Sequence, residues 1–439
     1  MLLVAYICSA ATGAVIWNVR IGDPASGVVT IGVSISAQDL PTSRALNVVF
    51  QDTTIENTGR IVSFRADADD DSANVTRADR SGRVGYSISI PADADNVFFE
   101  YKLNPEFYPG DGPADPMHAR GKLSAEGAVL RTRTIFPAIN ALSKHHEVTL
   151  ALPAGWSALT PWNEVGEHFV VPSTDWSNTE YLVAGELDSS EFTINDVVIR
   201  TGALQGATIS SNAVANILER ISSTFGPIPG ADGGPRCVAV VPSGFIHGGS
   251  AGERSTVQSP DAVTLAHELF HWWNPGSRCA PDARWFAEGF TTFFGIVFAE
   301  ECGLIDAKSA MMHFADLQGE MQYLEAGLPI ALAAASRESE DLRRSRVMYS
   351  KGALLAKIVQ GELSAKNLDL NTYVRRIVAM PAKRLTNEIL VQEFHAEFGE
   401  EFAARFERWI QEPISLPTLP LGQATGKSGS ARLLPPEAR

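Results

Sequence analysis

From Ala14 to about Ile199, apolar and polar residues alternate in short runs, among them Val28–Ser36, Val84–Ile90, Val97–Leu103 and His146–Leu152. Side chains on a strand point alternately to its two faces, so a period of two predicts strands with one buried face. Pro, Gly, Asp and Asn break the runs at short intervals, as turns between antiparallel strands do. After Thr201 the period lengthens. Ser211–Phe225 carries its apolar residues at helical spacing and stops at Gly226 and Pro227. Arg236–Val241 reads as a short buried strand, and a glycine-rich stretch, Ser243–Ser255, follows it. From Glu300 to about Ile410 the pattern is mostly helical, with amphipathic segments at Tyr349–Leu363 and Asn387–Trp409.

These patterns predict an α+β chain. An apolar N-terminus (1–13) precedes an N-terminal antiparallel β-domain (14–200). A mixed domain (201–305) and a helical domain (306–412) follow, and a Pro/Gly-rich tail (413–439) reads as extended or disordered. Leu2–Val15 is apolar and ends in small residues but lacks the positive n-region of an export signal. It is too short to cross a bilayer. Two readings stand: a clipped export signal, placing the protein in the periplasm or outside the cell, or a first strand of a cytoplasmic protein.

Composition adds exclusions. With 36 basic and 51 acidic residues the net charge is −15, which argues against nucleic acid or an anionic lipid surface as partner. Cys8, Cys237, Cys279 and Cys302 are far apart and form neither a disulfide framework nor a thiolate metal site. The acidic turn Asp67–Asn74 has Ser72 and Ala78 where a calcium loop counted from Asp67 needs Gly and Glu, so it reads as a solvated turn.

The candidate chemistry lies in Asp261–Asn274 (DAVTLAHELFHWWN). Pro260 and Asp261 suit a helix start. His267 and His271, four residues apart, then share one face, where two imidazoles can hold one tetrahedral zinc ion. Glu268, turned about 100° from His267, can reach water at the metal without ligating it. This is the His-Glu-x-x-His pattern. A catalytic zinc also needs a third protein ligand, and Glu288 in Trp285–Phe290 (WFAEGF) supplies one. Pro281 and Asp282 would open its helix and Gly303 would close it.

HELFHWWN, then WFAEGFTTFF, then CGLID resembles the glycyl aminopeptidase family of gluzincin metallopeptidases. Val347–Leu355 (VMYSKGALL) resembles that clan's Tyr-x-Lys-Gly segment. The resemblance covers most of the chain, with the β-domain, catalytic core and helical part in the family's order. It implies a zincin-like, thermolysin-like catalytic domain over 201–305, with Zn2+ on His267, His271 and Glu288. It further implies Glu268 as general base, Tyr349 as oxyanion donor, and a peptide or protein substrate. Gly248, Gly249 and Ser250 would pair with that substrate as an edge strand. Many relatives carry a PDZ module after the helical part, and the expectation here is a chain without one.

Two positions depart from the family. Ala251 stands where relatives place a glutamate that holds the substrate's amino group, which puts aminopeptidase specificity in question. Thr292 stands where many place an aspartate that orients a metal-binding histidine. Three readings follow: an active zinc peptidase, a zinc-containing peptide binder that does not cleave, and a zinc-stabilised structural protein. The intact Glu268 and Tyr349 argue against the second. The lack of a fourth protein ligand argues against the third.

Overall fold

The structure is a computed structural model that describes residues 14–54, 59–69, 71–106, 121–141, 145–171, 180–230, 234–246, 248–326, 328–339, 341–380 and 384–419. The readings made for residues 1–13 and for the tail from residue 420 onward lie outside the described residues. The chain divides into two compact units. One comprises Met1–Thr193, Val197–Thr208 and Asp232–Val257; the other comprises Ile194–Asp196, Ile209–Ala231 and Gln258–Arg439.

The first unit is built from strands, and those read from alternation stand within a residue of the observed ones: Val29–Ser36, Arg83–Ser89, Asn96–Leu103 and His145–Ala151. They contribute to an eight-stranded sheet and a four-stranded sheet over one apolar core, in which Trp17, Phe99, Tyr101 and Leu46 are fully buried. The pairing is antiparallel except that Ala14–Arg20 runs parallel to His145–Ala151. That pairing joins the beginning of the unit to a strand far along the sequence, so alternation alone could not reveal it. The polar ends of the large core side chains are satisfied: Tyr101 Oη donates to the Ile135 carbonyl at 2.6 Å and Trp17 Nε1 to His146 Nδ1 at 3.1 Å. A five-stranded sheet in the same unit has Gly249–Ala251 at its edge, and Val197–Leu204 pairs parallel with Arg236–Val240 within it.

The second unit is helical. Ser211–Phe225 has the bounds expected of it, capped by Ser210 and closed at Gly226, whose φ is 97°. Asp261 caps Ala262–Phe270 by accepting from the Thr264 amide at 2.7 Å, and Asp341 caps Leu342–Ser364 in the same way. The amphipathic run 387–409 is two helices, Asn387–Phe398 and Glu400–Gln411. Gly399 separates them at φ 87°, a backbone state that glycine takes without strain. No helix among the described residues is long and apolar enough to cross a membrane.

The Trp17–His146 pair gives the first unit a pH dependence. Burial, with the charge of His145 adding, holds His146 down at about 4 against an ordinary 6.5. Between those values the unfolded chain binds a proton that the folded chain does not. Stability should therefore be complete above pH 6.5 and fall as pH drops toward 4, by roughly 3 kcal/mol. His146→Gln keeps an acceptor for Trp17 and should flatten the urea midpoint between pH 7 and 4.5; an unchanged slope would assign the dependence elsewhere.

Candidate metal centre

The motif helix is shorter than its pattern predicts. Regular helix ends at Phe270 and His271 caps it; Trp272, Trp273 and Asn274 continue as turns. The early end allows the Asn274 backbone to fold under the last histidine, where its carbonyl lies 3.1 Å from His271 Nδ1. A carbonyl only accepts, so His271 carries its proton on Nδ1 and presents a lone pair on Nε2. The Asn274 side chain donates to the Phe286 carbonyl at 3.2 Å and to Thr291 Oγ1 at 3.2 Å. One asparagine thus ties the end of the motif helix to the segment that carries Glu288.

That segment is not a continuous helix. A 3-10 turn at Pro281–Ala283 leads to a π-helical turn, Phe286–Phe290, and regular helix begins only at Thr291. The wider turn sets Glu288 facing the two rings, and π turns recur at functional sites for this kind of reason. Thr292 follows one turn on. Its hydroxyl donates to the Glu288 carbonyl at 2.8 Å and stands 3.3 Å from His267 Nδ1. With the hydroxyl proton so engaged, the oxygen accepts from His267 Nδ1, and His267 Nε2 is left as a lone pair. Thr292 therefore fills, as a neutral acceptor, the place where the aspartate was expected.

The two lone pairs face each other. His267 Nε2 and His271 Nε2 are 3.1 Å apart, and Glu288 Oε2 lies 3.8 and 3.4 Å from them. Two ligand atoms on a tetrahedral zinc with bonds of 2.0–2.1 Å are separated by about 3.3 Å, so the trio fits that ion. The three atoms share one mostly buried spot, their side chains 12%, 9% and 20% exposed, where a positive charge is needed to offset the Glu288 carboxylate. Glu268, buried beside them, also converges on it. These residues suit a divalent transition metal, and zinc in particular.

Burial and mutual charge set the proton states. Burial pushes His267 down to about 3 and Glu268 up to about 8. Glu288 is held at about 2: burial opposes its ionisation, but His271, His267 and the Tyr349 hydroxyl outweigh that. His271 is held up at about 9 against burial, chiefly by Glu288. A bound cation would take the place of that proton.

Tyr349 comes from Leu342–Ser364, and its ring lies nearly parallel to that of His267 with centroids 6.1 Å apart. Two glycines make this approach possible. A β-carbon on Gly352 would lie 2.8 Å from Gly289 Cα and 3.0 Å from the Trp285 carbonyl, and one on Gly289 would overlap Gly352. Gly295 does the same for the motif helix, since a β-carbon there would lie 3.1 Å from the His267 amide. The sequence reading gave no role to Asn274 or to these glycines, although Gly352 closes the Tyr-x-Lys-Gly segment. Position was the signal for two of the others: Asn274 lies shortly after the second histidine and Gly289 beside Glu288.

The residues named from sequence are thus placed as follows. His267, Glu268, His271, Glu288 and Tyr349 come together in the second unit. Gly248, Gly249 and Ser250 belong to the first unit, at the sheet edge, where Ser250 Oγ lies 2.6 Å from Tyr181 Oη. Ala251 ends that strand, and Glu253 follows it with its side chain exposed. The arginines before Tyr349 are engaged within the protein: Arg343 with the Leu324 carbonyl, Arg344 with Glu338 and Arg346 with Glu320.

Two outcomes test this geometry. Thr292→Val removes the acceptor for His267 and should weaken zinc binding roughly 10–100-fold in a chelator competition. An unchanged affinity would mean that Thr292 does not orient the ring. Gly289→Ala should force the two backbones apart, costing at least roughly 1–3 kcal/mol by thermal melting.

No protein-family model matches this sequence, and no curated protein matches it. Solved structures do. An aminopeptidase N family protein from Idiomarina loihiensis superposes with a TM-score of 0.76 at 14% identity, covering 93% of this chain and 77% of that one. An M1 zinc metallopeptidase from Deinococcus radiodurans gives 0.58 at 17% identity, covering 93% and 94%. Yeast LTA4 hydrolase in complex with bestatin gives 0.52 at 15% identity, covering 93% and 69%. The chain shares the fold of that aminopeptidase N family protein and of the M1 zinc metallopeptidase, and its His267, Glu268 and His271 converge where they could hold a metal ion.

Proposed function

We propose that this protein is a zinc-dependent peptidase in which His267, His271 and Glu288 hold the metal, Glu268 is the general base and Tyr349 steadies the oxyanion. The observation that carries the reading is the convergence of His267 Nε2, His271 Nε2 and Glu288 Oε2 within 3.8 Å of one another, with Glu268 buried beside them. A structural zinc site is usually closed by four protein ligands; three ligands plus a carboxylic acid describe a hydrolytic one. A zinc held there would acidify water and polarise a carbonyl. Glu268, held near neutrality by burial, is suited to take a proton from the attacking water and return it to the leaving amine. The Tyr349 hydroxyl is a donor for the oxygen on which negative charge develops.

A mutant of the M1 zinc metallopeptidase of Deinococcus radiodurans has been seen bound to a Tyr-Ser-Ala substrate, which supports a peptide as the substrate here. The edge strand Gly249–Ala251 suits pairing with an extended chain, and Gly248 and Gly249 would admit close backbone approach. Ala251 brings no carboxylate for a free amino group, so a free N-terminus is not a requirement of this reading. The alternative, a protein that binds peptides without cutting them, draws on the same alanine.

The test is a peptide library, each member with a free and an acetylated N-terminus, incubated with zinc-loaded wild type and Glu268→Gln. Cleavage by wild type, reduced roughly 10²–10⁴-fold in the variant while zinc stays bound, is the expected result. Equal cleavage of both N-terminal forms would remove aminopeptidase specificity. Peptide binding with no cleavage by either protein would favour the alternative, and failure to retain zinc would overturn the assignment.

A further inference from the structure

Lys351 has no part in the chemistry above, yet its side chain is wholly buried. An ammonium has three N–H donors, and each finds an acceptor in a different segment. Nζ donates to Glu325 Oε1 at 2.7 Å, to the Ile330 carbonyl at 2.6 Å and to the Ile414 carbonyl at 2.8 Å. Glu325 follows the helix Ala307–Leu324, Ile330 leads into the helix Leu332–Arg337, and Ile414 lies beyond the helix Glu400–Gln411. Glu325 Oε1 also accepts from the Ile330 amide at 3.0 Å, so the grip is closed on itself.

Stability does not account for this arrangement. Removing two charges from water costs several kcal/mol, and apolar residues of similar volume often serve as well or better. What three directed contacts supply, and apolar packing does not, is a fixed rotation and height of the helix that bears the lysine. Lys351 lies two residues from Tyr349, about 200° round the helix axis, so it holds the face opposite the tyrosine. The Gly352–Gly289 contact bounds the approach from the other side.

The third acceptor comes from a segment read from sequence as part of a tail. Pro413–Leu419 instead docks: Ile414 binds Lys351, Leu416 is buried, and the Leu419 amide donates to Gln318 Oε1 at 2.9 Å. We propose that Lys351 is a positioning residue, and that its grip on Glu325, Ile330 and the strap Pro413–Leu419 sets the Tyr349 hydroxyl against Glu288 and the histidine pair. This rests on the peptidase reading for its consequence but not for its geometry. Misplacing a reacting group by about 1 Å can cost 10²-fold, so loosening the grip should be visible in rate.

The experiment compares Lys351→Met/Glu325→Gln, which removes both charges yet leaves an acceptor for the Ile330 amide, with truncation after Glu412, which removes the strap together with residues 420–439 and is judged against truncation after Leu419. Both are measured alone and combined with Tyr349→Phe. The expected result is wild-type zinc affinity, a kcat lower by roughly 10–100-fold with little change in KM, and little further loss when Tyr349→Phe is added. A wild-type kcat, or losses that multiply with Tyr349→Phe, would overturn the proposal. If the paired substitution fails to fold, the truncation alone decides by the same criteria.

A readout independent of activity separates this proposal from the peptidase reading. With 3-fluorotyrosine placed at position 349, the 19F resonance should shift or broaden in either variant. An unchanged resonance refutes the positioning role, whereas a zinc-loaded wild type that cleaves nothing refutes the peptidase reading and leaves the 19F result standing.

Discussion

At Gly289 and Gly352 two backbones meet with no side chain between them, and a β-carbon on either would collide with the other chain. The contact joins the π turn that carries Glu288 to the helix that carries Tyr349, one residue from the first and three from the second. Separation between packed helices is normally set by side chains at 8–10 Å. Here the side chains are missing at the crossing. The tyrosine therefore reaches the carboxylate and lies along the His267 ring, 6.1 Å away between centroids. Gly295 repeats the device against the His267 backbone. The three supports of the centre are thus held by backbone contact, which has no rotamers to average over.

Such rigidity matters because the centre is electrostatically expensive. Glu268 and Glu288 are both largely withdrawn from water within one small volume, beside two imidazoles whose Nε2 atoms lie 3.1 Å apart. A loose site would relax by swinging these groups apart. The hydrogen bonds from Asn274 and Thr292 prevent it by fixing both ring tautomers and tying each ring to the backbone of the π turn. Because ligands, acceptors and glycines all belong to the helical unit, a metal bound there would contribute its binding free energy to the stability of that unit.

The legible part of this design was the part with a period or a motif. Alternation located the strands, helical spacing located Ser211–Phe225, and the His-Glu-x-x-His spacing located three of the site residues. What was hidden depends on contacts between segments distant in sequence. The parallel pairing of Ala14–Arg20 with His145–Ala151 leaves no mark in either strand. Asn274 looked like one more residue of a helix, and only the early end at His271 gives it a role. The π turn is invisible because Phe286–Phe290 is as apolar as any buried helix. Lys351 read as part of a motif whose tyrosine attracted the attention, and Pro413–Leu419 read as tail because extended segments that dock by backbone groups carry no hydrophobic period.

Thr292 shows how one unexpected residue can be consistent with the rest. A carboxylate on His267 Nδ1 would make the ring a stronger donor, and its loss ordinarily weakens metal binding. But the buried charges must also balance. A divalent cation would offset the ionised Glu288 and, by favouring the ionised form of Glu268 as well, bring the centre to neutrality. A third carboxylate at position 292 would leave it net negative in a place with little water to screen it. Threonine fixes the same tautomer with a neutral oxygen, already anchored to the Glu288 carbonyl at 2.8 Å. The same step leaves His267 a poorer donor, and a metal held by poorer donors keeps more of its positive charge for whatever else it binds. Affinity for the ion and its power as a Lewis acid are therefore set against each other at this single hydroxyl.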